Sequence, residues 1–316
     1  MKPRNVIIDC DPGVDDALAL LLALRSPALR VLGITTVAGN VPVEKVTRNA
    51  LVIVENSGKI VPVYQGCRRA IMGHGETAEY AHGSDGLGDV GFADPSIKIE
   101  SEHSIDFLAR SFKEADDPID LITLGPLTNV AMALIKEPGI VKKIHSLVMM
   151  AGGNDNGNST PAAEFNIFVD PEAADIVFRS GIPSITMVGL EPNHQGGQIS
   201  PEDVARIEAS DSTWCNMAGR LLRSQLSRWK EFTGEARPST PPDLTAMGVA
   251  LKPEMAKIEV YPVIVETTGQ NTRGMTLVDR RHYRHMGPET HFPEINVVMK
   301  VDNAQHRKLF LDTLLN

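Results

Sequence analysis

Short apolar, β-branched runs alternate with stretches of helical periodicity along the first two thirds of the 316-residue chain. Residues 6–8, 31–36, 61–64, 119–124, 147–150 and 184–188 read as strands, and 15–24, 43–56, 105–114, 127–135 and 171–179 as helices. The strand runs are continuously apolar, so both of their faces are expected to be covered. Such strand–helix alternation predicts an α/β fold, a Rossmann-like, mostly parallel sheet flanked by helices, with right-handed crossovers. Beyond residue 200 the rhythm changes. Helices are expected at 202–209, 213–230 and 244–250, strands at 258–265, 275–278 and 295–300, and a closing helix at 304–315. No repeat, low-complexity tract or linker interrupts this order, so residues 1–316 are expected to form one domain with extra C-terminal helices and strands.

Three long loops, 66–95, 152–166 and 232–242, are rich in Gly, Asn or Pro. Loops of that length in a compact domain are usually functional or disordered. In an open α/β sheet, ligands bind outside the carboxyl ends of the strands, where several of the informative segments begin.

Composition changes this picture little. Hydrophobic residues make up 42% and charged residues 22%, ordinary for a soluble protein with a sizeable core. A formal net charge of −9 argues against a broad nucleic-acid-binding face. The best basic run, Arg280-Arg281-His282-Tyr283-Arg284-His285, is short, stands near a Gly-Pro turn and reads as a solvated loop. Cys10, Cys67 and Cys215 lie far apart without a CxxC pair, which fits a reducing compartment. The apolar run after the basic start is short and ends at Asp9, and nothing approaches the ~20 apolar residues needed to span a membrane. A cytoplasmic protein without membrane or nucleic-acid partners is therefore expected.

The chemistry concentrates in VIIDCDPGVDD, residues 6–16, where Asp9, Asp11, Asp15 and Asp16 crowd the passage from strand to helix. Pro12 fixes φ and Gly13 permits a tight turn. One or two of these carboxylates could cap the helix, but four exceed what capping requires. Like charges so close raise one another's pKa unless a cation compensates. Hard divalent cations take oxygen ligands, Ca2+ about 6–8 of them and Mg2+ about six. One enzyme class with an Asp-x-Asp pair at a strand end is the Mg-dependent phosphotransferases of haloacid-dehalogenase type. Those want a small Thr or Val soon after the pair and a later Lys at a strand end. Here Asp11 is followed by Pro-Gly, and no such Lys is evident.

DCDPGVDDALALLLAL resembles instead the opening motif of the inosine–uridine-type nucleoside hydrolases, Ca-dependent N-ribohydrolases. Further blocks follow in order: TTVAGN at 35–40, HGSDGLG at 82–88, LGPLTN at 124–129, VMMAGGNDNGN at 148–158, AEFNIFVDPEAA at 163–174 and MVGLEPNHQ at 187–195. The resemblance implies the nucleoside hydrolase fold and hydrolysis of a purine or pyrimidine ribonucleoside to free base and ribose, a salvage reaction. It implies a homodimer or homotetramer. Ca2+ would be held by Asp11, Asp16, the Leu124 carbonyl and Asp243, with Asp11 also the general base. The sugar would meet Asp15, Asn40, Met150, Asn158, Glu164, Asn166 and Asp243, with His82 near sugar or base, and Asp9 would be structural. Taken singly, Asn40 and Asn158 beside glycines read as turn residues and Met150 as core.

The pattern breaks in two places. Where many members carry a His that protonates a purine leaving group, this chain has Pro242, and GLEPNHQ replaces the usual GLDVTHQ. His82, His74, His194 and His285 are the histidines that could compensate, although His74 reads as a solvated loop residue. Trp229 or Tyr80 could stack on a base. Two alternatives stay open: the phosphotransferase, and a nucleoside-binding homologue that has lost turnover. Gly86-x-Gly88-x-x-Gly91 matches a dinucleotide fingerprint but neither follows a strand nor opens a helix. A serine hydrolase lacks its nucleophile-elbow Ser.

Overall fold

Among the residues described by a computed structural model, 2–73, 75–194, 199–234, 241–282 and 292–316, nine strands form one sheet. They are β1 (Arg4–Cys10), β2 (Leu29–Thr36), β3 (Val63–Gln65), β4 (Ile119–Thr123), β5 (Ile144–Met150), β6 (Ile185–Val188), β7 (Ala256–Val265), β8 (Thr276–Val278) and β9 (Glu294–Val301). Their order is β3-β2-β1-β4-β5-β6-β9-β7-β8. Every pairing from β3 across to β9 is parallel, whereas β7 runs antiparallel to both β9 and β8. The predicted α/β, mostly parallel sheet is therefore present, and the C-terminal strands extend it at one edge. His74, His285, Gln195, residues 235–240 of the third loop and the end of the basic run lie outside the described residues, as does the side chain of His194.

Side chains alternate across the sheet as the two-residue period requires. Val6, Ile8, Cys10 and Ile122 enter the core on one face, and Ile7, Ile119 and Leu121 enter it on the other. The first helix, Val14–Arg25, is apolar almost all round and is buried from Val14 to Leu24. Such a helix is stable only when wrapped. Helices Val43–Ser57, Thr213–Thr233, Pro242–Leu251 and Asn303–Leu315 pack around it, so the extra C-terminal helices wrap the helix that follows β1, and Pro242–Leu251 also packs on β5 and β6. Each fully buried leucine there contributes roughly 1.5–3 kcal/mol.

Chain order places the site. The connections from β1 run outward to β2 and β3, then return to β4 on its other side and continue to β5 and β6. Between β1 and β4 the chain leaves in opposite directions, opening a crevice at the strands' carboxyl ends, where ligands of open α/β sheets bind. The expected strand at 61–64 is shifted to β3, because Pro62 has no N–H to extend the ladder backwards, although its carbonyl accepts from Ile34 N at 3.0 Å. Helices Glu79–His82, Phe165–Val169 and Glu191–His194 were not predicted; they are too short for a 3.6-residue pattern to register. No helix among the described residues is long and apolar enough to cross a membrane.

The closing helix, Asn303–Leu315, buries His306 completely. Its Nε2 donates to the Leu244 carbonyl at 2.9 Å, which leaves Nδ1 buried and unpartnered. Burial holds this imidazole below its ordinary pKa of 6.5. As pH falls below that value, the unfolded chain takes up a proton that the folded chain refuses. Stability is lost in that direction, by up to about 1.4 kcal/mol per pH unit. Melting temperatures of the unmodified protein and His306→Gln should therefore converge between about pH 7.5 and about pH 5.5. A gap that stays constant over this range would contradict a neutral, buried ring.

Candidate active site

β1 ends at Cys10, and Asp11-Pro12-Gly13 turns the chain directly into the Val14–Arg25 helix. Asp11 is fully buried between two backbone segments, one after β2 and one after β4. A Cβ at Gly39 would collide with its Oδ2 and a Cβ at Gly125 with its Oδ1. The carboxylate fits because both neighbours lack side chains. Asn40 N donates to Asp11 Oδ2 at 2.7 Å, while Asn40 Nδ2 lies 3.1 Å from both the Asp11 carbonyl and Asp16 Oδ2. Asp16 also receives Gly13 N at 2.9 Å and Asp11 N at 3.2 Å, which uses two donors otherwise orphaned at the helix start.

Asp243 arrives from most of the chain away, in the first turn of the Pro242–Leu251 helix. Pro242 opens that helix, a position that tolerates a missing N–H and favours its fixed φ. The residue that removes a familiar acid thus begins the helix that delivers a carboxylate. Asp15, Asp16 and Asp243 each offer an oxygen, all within 4.8 Å of one another, and all three are buried. Two helix N-termini face the group and favour negative charge, but only in part. Burial, then the surrounding carboxylates, drives the Asp243 pKa well above the ordinary range, and the Asp11 pKa likewise. Burial and Asp15 lift Asp16 to about 7. Asp11 Oδ1 and Asp15 Oδ1 are buried without a hydrogen-bond partner. Oxygens left so exposed to one another's charge fit a hard cation, which oxygen-only donors select. Asp15, assigned to the sugar by resemblance, lies within this tight group, and Asp11 stands beside it through Asp16.

Across the crevice, Asn166 Nδ2 reaches the Leu124 carbonyl at 2.8 Å and the Met150 carbonyl at 3.0 Å. It thereby ties the ends of β4 and β5 together; the second lone pair of the Leu124 carbonyl stays available. Glu164 caps the Phe165–Val169 helix, taking Asn166 N at 2.8 Å, Gly152 N at 2.9 Å and Ile167 N at 3.2 Å. Burial outweighs those three donors and raises it to about 7. Asn158 is exposed and accepts from Phe165 N at 2.9 Å, the outermost of the expected sugar contacts. Glu191, the departure in GLEPNHQ, receives Asn154 N at 2.5 Å and Asp155 N at 2.8 Å, so the longer carboxylate braces the loop after β5.

His82 closes the opposite side. Its Nδ1 accepts from Val14 N at 3.1 Å, capping a helix whose Gly13 has no side chain to do so. The 3.5 Å approach of Nδ1 to Asp15 Oδ1 is then a contact between two lone pairs and not an ion pair. Burial lowers the pKa of the ring, against the pull of Asp15. Tyr80 (59% exposed) and Trp229 (49% exposed) stand on two helices that touch beside this loop.

Buried braces lie beneath the site, and Asp9, expected to be structural, is one of them. Asp9 is buried beneath Asp11, with Oδ1 taking Thr35 Oγ1 at 2.5 Å and Asn129 Nδ2 at 2.8 Å, and burial raises it to about 7. Asn129 also donates to the Thr36 carbonyl at 3.0 Å and accepts from Cys67 N at 2.9 Å, locking four segments under the site. The only signal for it was its place in LGPLTN.

Comparison with known proteins places the whole chain and its fold among ribonucleoside hydrolases. Pyrimidine-specific ribonucleoside hydrolase RihA of Shewanella woodyi is 41% identical over 282 residues, covering 88% of each chain. RihA of Escherichia coli O1:K1 / APEC is 37% identical over 310 residues, covering 98% of this chain and 97% of its own. Among solved structures, a plant nucleoside hydrolase, PpNRh1, superposes with a TM-score of 0.91 at 32% identity, covering 99% of both chains. A purine-preferring ribonucleoside hydrolase from Gardnerella vaginalis does so with a TM-score of 0.89 at 31% identity, covering 98% of both. Residues 6–308 match the inosine-uridine preferring nucleoside hydrolase family from end to end of the fold, and the chain belongs to that family.

Proposed function

We propose that the protein hydrolyses the N-glycosidic bond of a ribonucleoside to free base and ribose at the crevice between β1 and β4, with Ca2+ as its cation. The observation that carries this reading is the buried carboxylate group with two unpartnered oxygens, set at the sheet's switch point. Asp11, Asp16, the Leu124 carbonyl and Asp243 would hold the ion, which when bound supplies a polarised water and an anchor for ribose hydroxyls. Asp11 takes the proton of the attacking water through Oδ1. Carboxylates beneath the ring stabilise the oxocarbenium-like charge as the C–N bond breaks. Asp15, Asn40, Met150, Asn158, Glu164, Asn166 and Asp243 orient the sugar. His82 presents a neutral ring; it supports the departing base by hydrogen bonding and does not surrender a proton. A cytoplasmic homodimer or homotetramer belongs to the same reading.

Purine, pyrimidine and nicotinamide ribosides, assayed in parallel for base, reducing sugar and phosphate, test it. Equal amounts of base and ribose from at least one substrate are expected, with no phosphate from phosphomonoesters. Tight nucleoside binding without turnover across the panel would identify the impaired homologue instead, and phosphate release the phosphotransferase.

A further inference from the structure

One face of a long helix grips the loop that follows His82. Arg220, Ser224 and Arg228 stand four residues apart on Thr213–Thr233 and so share a stripe. Arg220 Nη2 donates to the Val90 carbonyl, and its guanidinium lies 4.3 Å over the Phe92 ring. Ser224 Oγ donates to the Gly88 carbonyl at 2.8 Å, and Arg228 Nη2 pairs with Asp89 Oδ2 at 2.5 Å. Between these anchors the loop is braced internally. Asp85 Oδ1 receives Leu87 N at 2.7 Å and Asp89 N at 2.9 Å, while Asp89 Oδ1 receives Ser84 Oγ at 2.8 Å and Asp85 N at 3.1 Å. Asp89 holds φ at 55°, alone among the described non-glycine residues in being positive, a conformation that persists only where surroundings impose it. Gly88 N returns to the His82 carbonyl at 2.7 Å, which joins the anchored loop to the histidine.

At the far end His82 meets the helix that carries Asp15 and Asp16. A Cβ at Gly13 would collide with its ring, so the imidazole occupies the space that a capping side chain would fill. Because Val14 N–H donates to Nδ1, the ring must carry its proton on Nε2. We propose that the Arg220–Ser224–Arg228 stripe is a positioning device: by fixing the loop it holds His82 as the Nε2–H tautomer against Val14 and presents that N–H as a donor to the nucleoside's departing base. The inference rests on the reaction proposed above. In this posture the ring donates a hydrogen bond and cannot act as a general acid, since Nδ1 is already engaged as an acceptor.

Imidazole 15N shifts of the unmodified protein should report a single Nε2–H tautomer at His82, and Arg228→Ala should convert it to a tautomer mixture. With the best nucleoside, Arg228→Ala should lower kcat by about tenfold and leave KM within about twofold, since the donor acts on charge that develops in the transition state. The same substitution in a His82→Ala background should cost nothing more, because its effect passes through the ring. Ser224→Ala, a gentler loosening of the same stripe, should move both readouts in the same direction and serves if Arg228→Ala fails to fold. An unchanged tautomer in these variants, or equal losses with and without His82, would overturn the proposal. The nitrogen shifts need no turnover, so they judge the positioning alone, whereas an unmodified protein inert toward every nucleoside would overturn the reaction instead.

Discussion

Asp11→Ala is expected to lower turnover by about 10³-fold or more, equivalent to about 4 kcal/mol of transition-state stabilisation, while the chain stays folded. Asp11 Oδ1 is the buried, unpartnered oxygen best placed to take a proton, and its partner Oδ2 is fixed by Asn40 N. Two opposing terms decide the stability of the variant. Deletion strands the Asn40 N–H, at a cost of about 1–3 kcal/mol. It also removes one member of a crowd of buried like charges whose pKa values burial has already driven up. The two offset, so the melting temperature should move by only a few degrees. Asp11→Asn keeps an acceptor for Asn40 and loses the charge, and it should be almost as inactive. Full activity in Asp11→Ala, measured by base release, would refute the assignment.

The second large effect should follow removal of divalent cations. Chelation is expected to reduce activity at least roughly 10²-fold, about 3 kcal/mol, because in the proposed reaction a bound ion would supply a polarised water and an anchor for the ribose hydroxyls. Ca2+ should restore it better than Mg2+, since a cluster of irregularly placed carboxylate and carbonyl oxygens suits a large, geometrically tolerant ion. Stability should respond as well. A cation that binds only the folded chain stabilises it by about 2.7 kcal/mol at one hundred times its Kd, and for a chain of this size that is several degrees in Tm. Without the cation, Asp16 and Asp243 must relieve their repulsion by taking up protons. Asp243→Asn should abolish the Ca-dependent rise in Tm, which assigns the ion to this site. Tm and turnover both indifferent to chelator would remove the metal from the proposed mechanism.

Much of the fold was legible because its signals are local. Strands 31–36 and 147–150 and helix 43–56 were readable from apolar periodicity, and their observed counterparts differ by a few residues at the ends. The site was legible where covalent neighbours make it: Asp11, Asp15 and Asp16 lie within one turn of chain. Other parts were not. Nothing in the spacing of Arg220, Ser224 and Arg228 distinguishes a stripe that grips a loop from an ordinary solvated helix face. Nor does the sequence show that Glu164 spends its oxygens on backbone donors, that Asp9 Oδ1 is taken by side-chain donors, or that His82 caps a helix sixty-odd positions earlier. The exposure of Asn158, set against the burial of Asn166, was equally hidden, because the two differ in tertiary surroundings and not in residue type.

The sequence by itself determined that a buried parallel sheet would carry an acidic turn at the end of its first strand. Apolar runs, a Pro-Gly turn and four aspartates act over distances of a few residues, where bonding geometry alone dictates the outcome. Only the tertiary structure decided which oxygens share one space. Asp243 meets Asp16 because two helices pack side by side, Asp11 fits because Gly39 and Gly125 leave room, and the crevice exists because the strand order reverses between β1 and β4. Those placements depend on strand register and helix packing summed over the whole core. Electrostatic demand for a cation arises at that level too, since carboxylates become strongly shifted only once burial takes water away from all of them together.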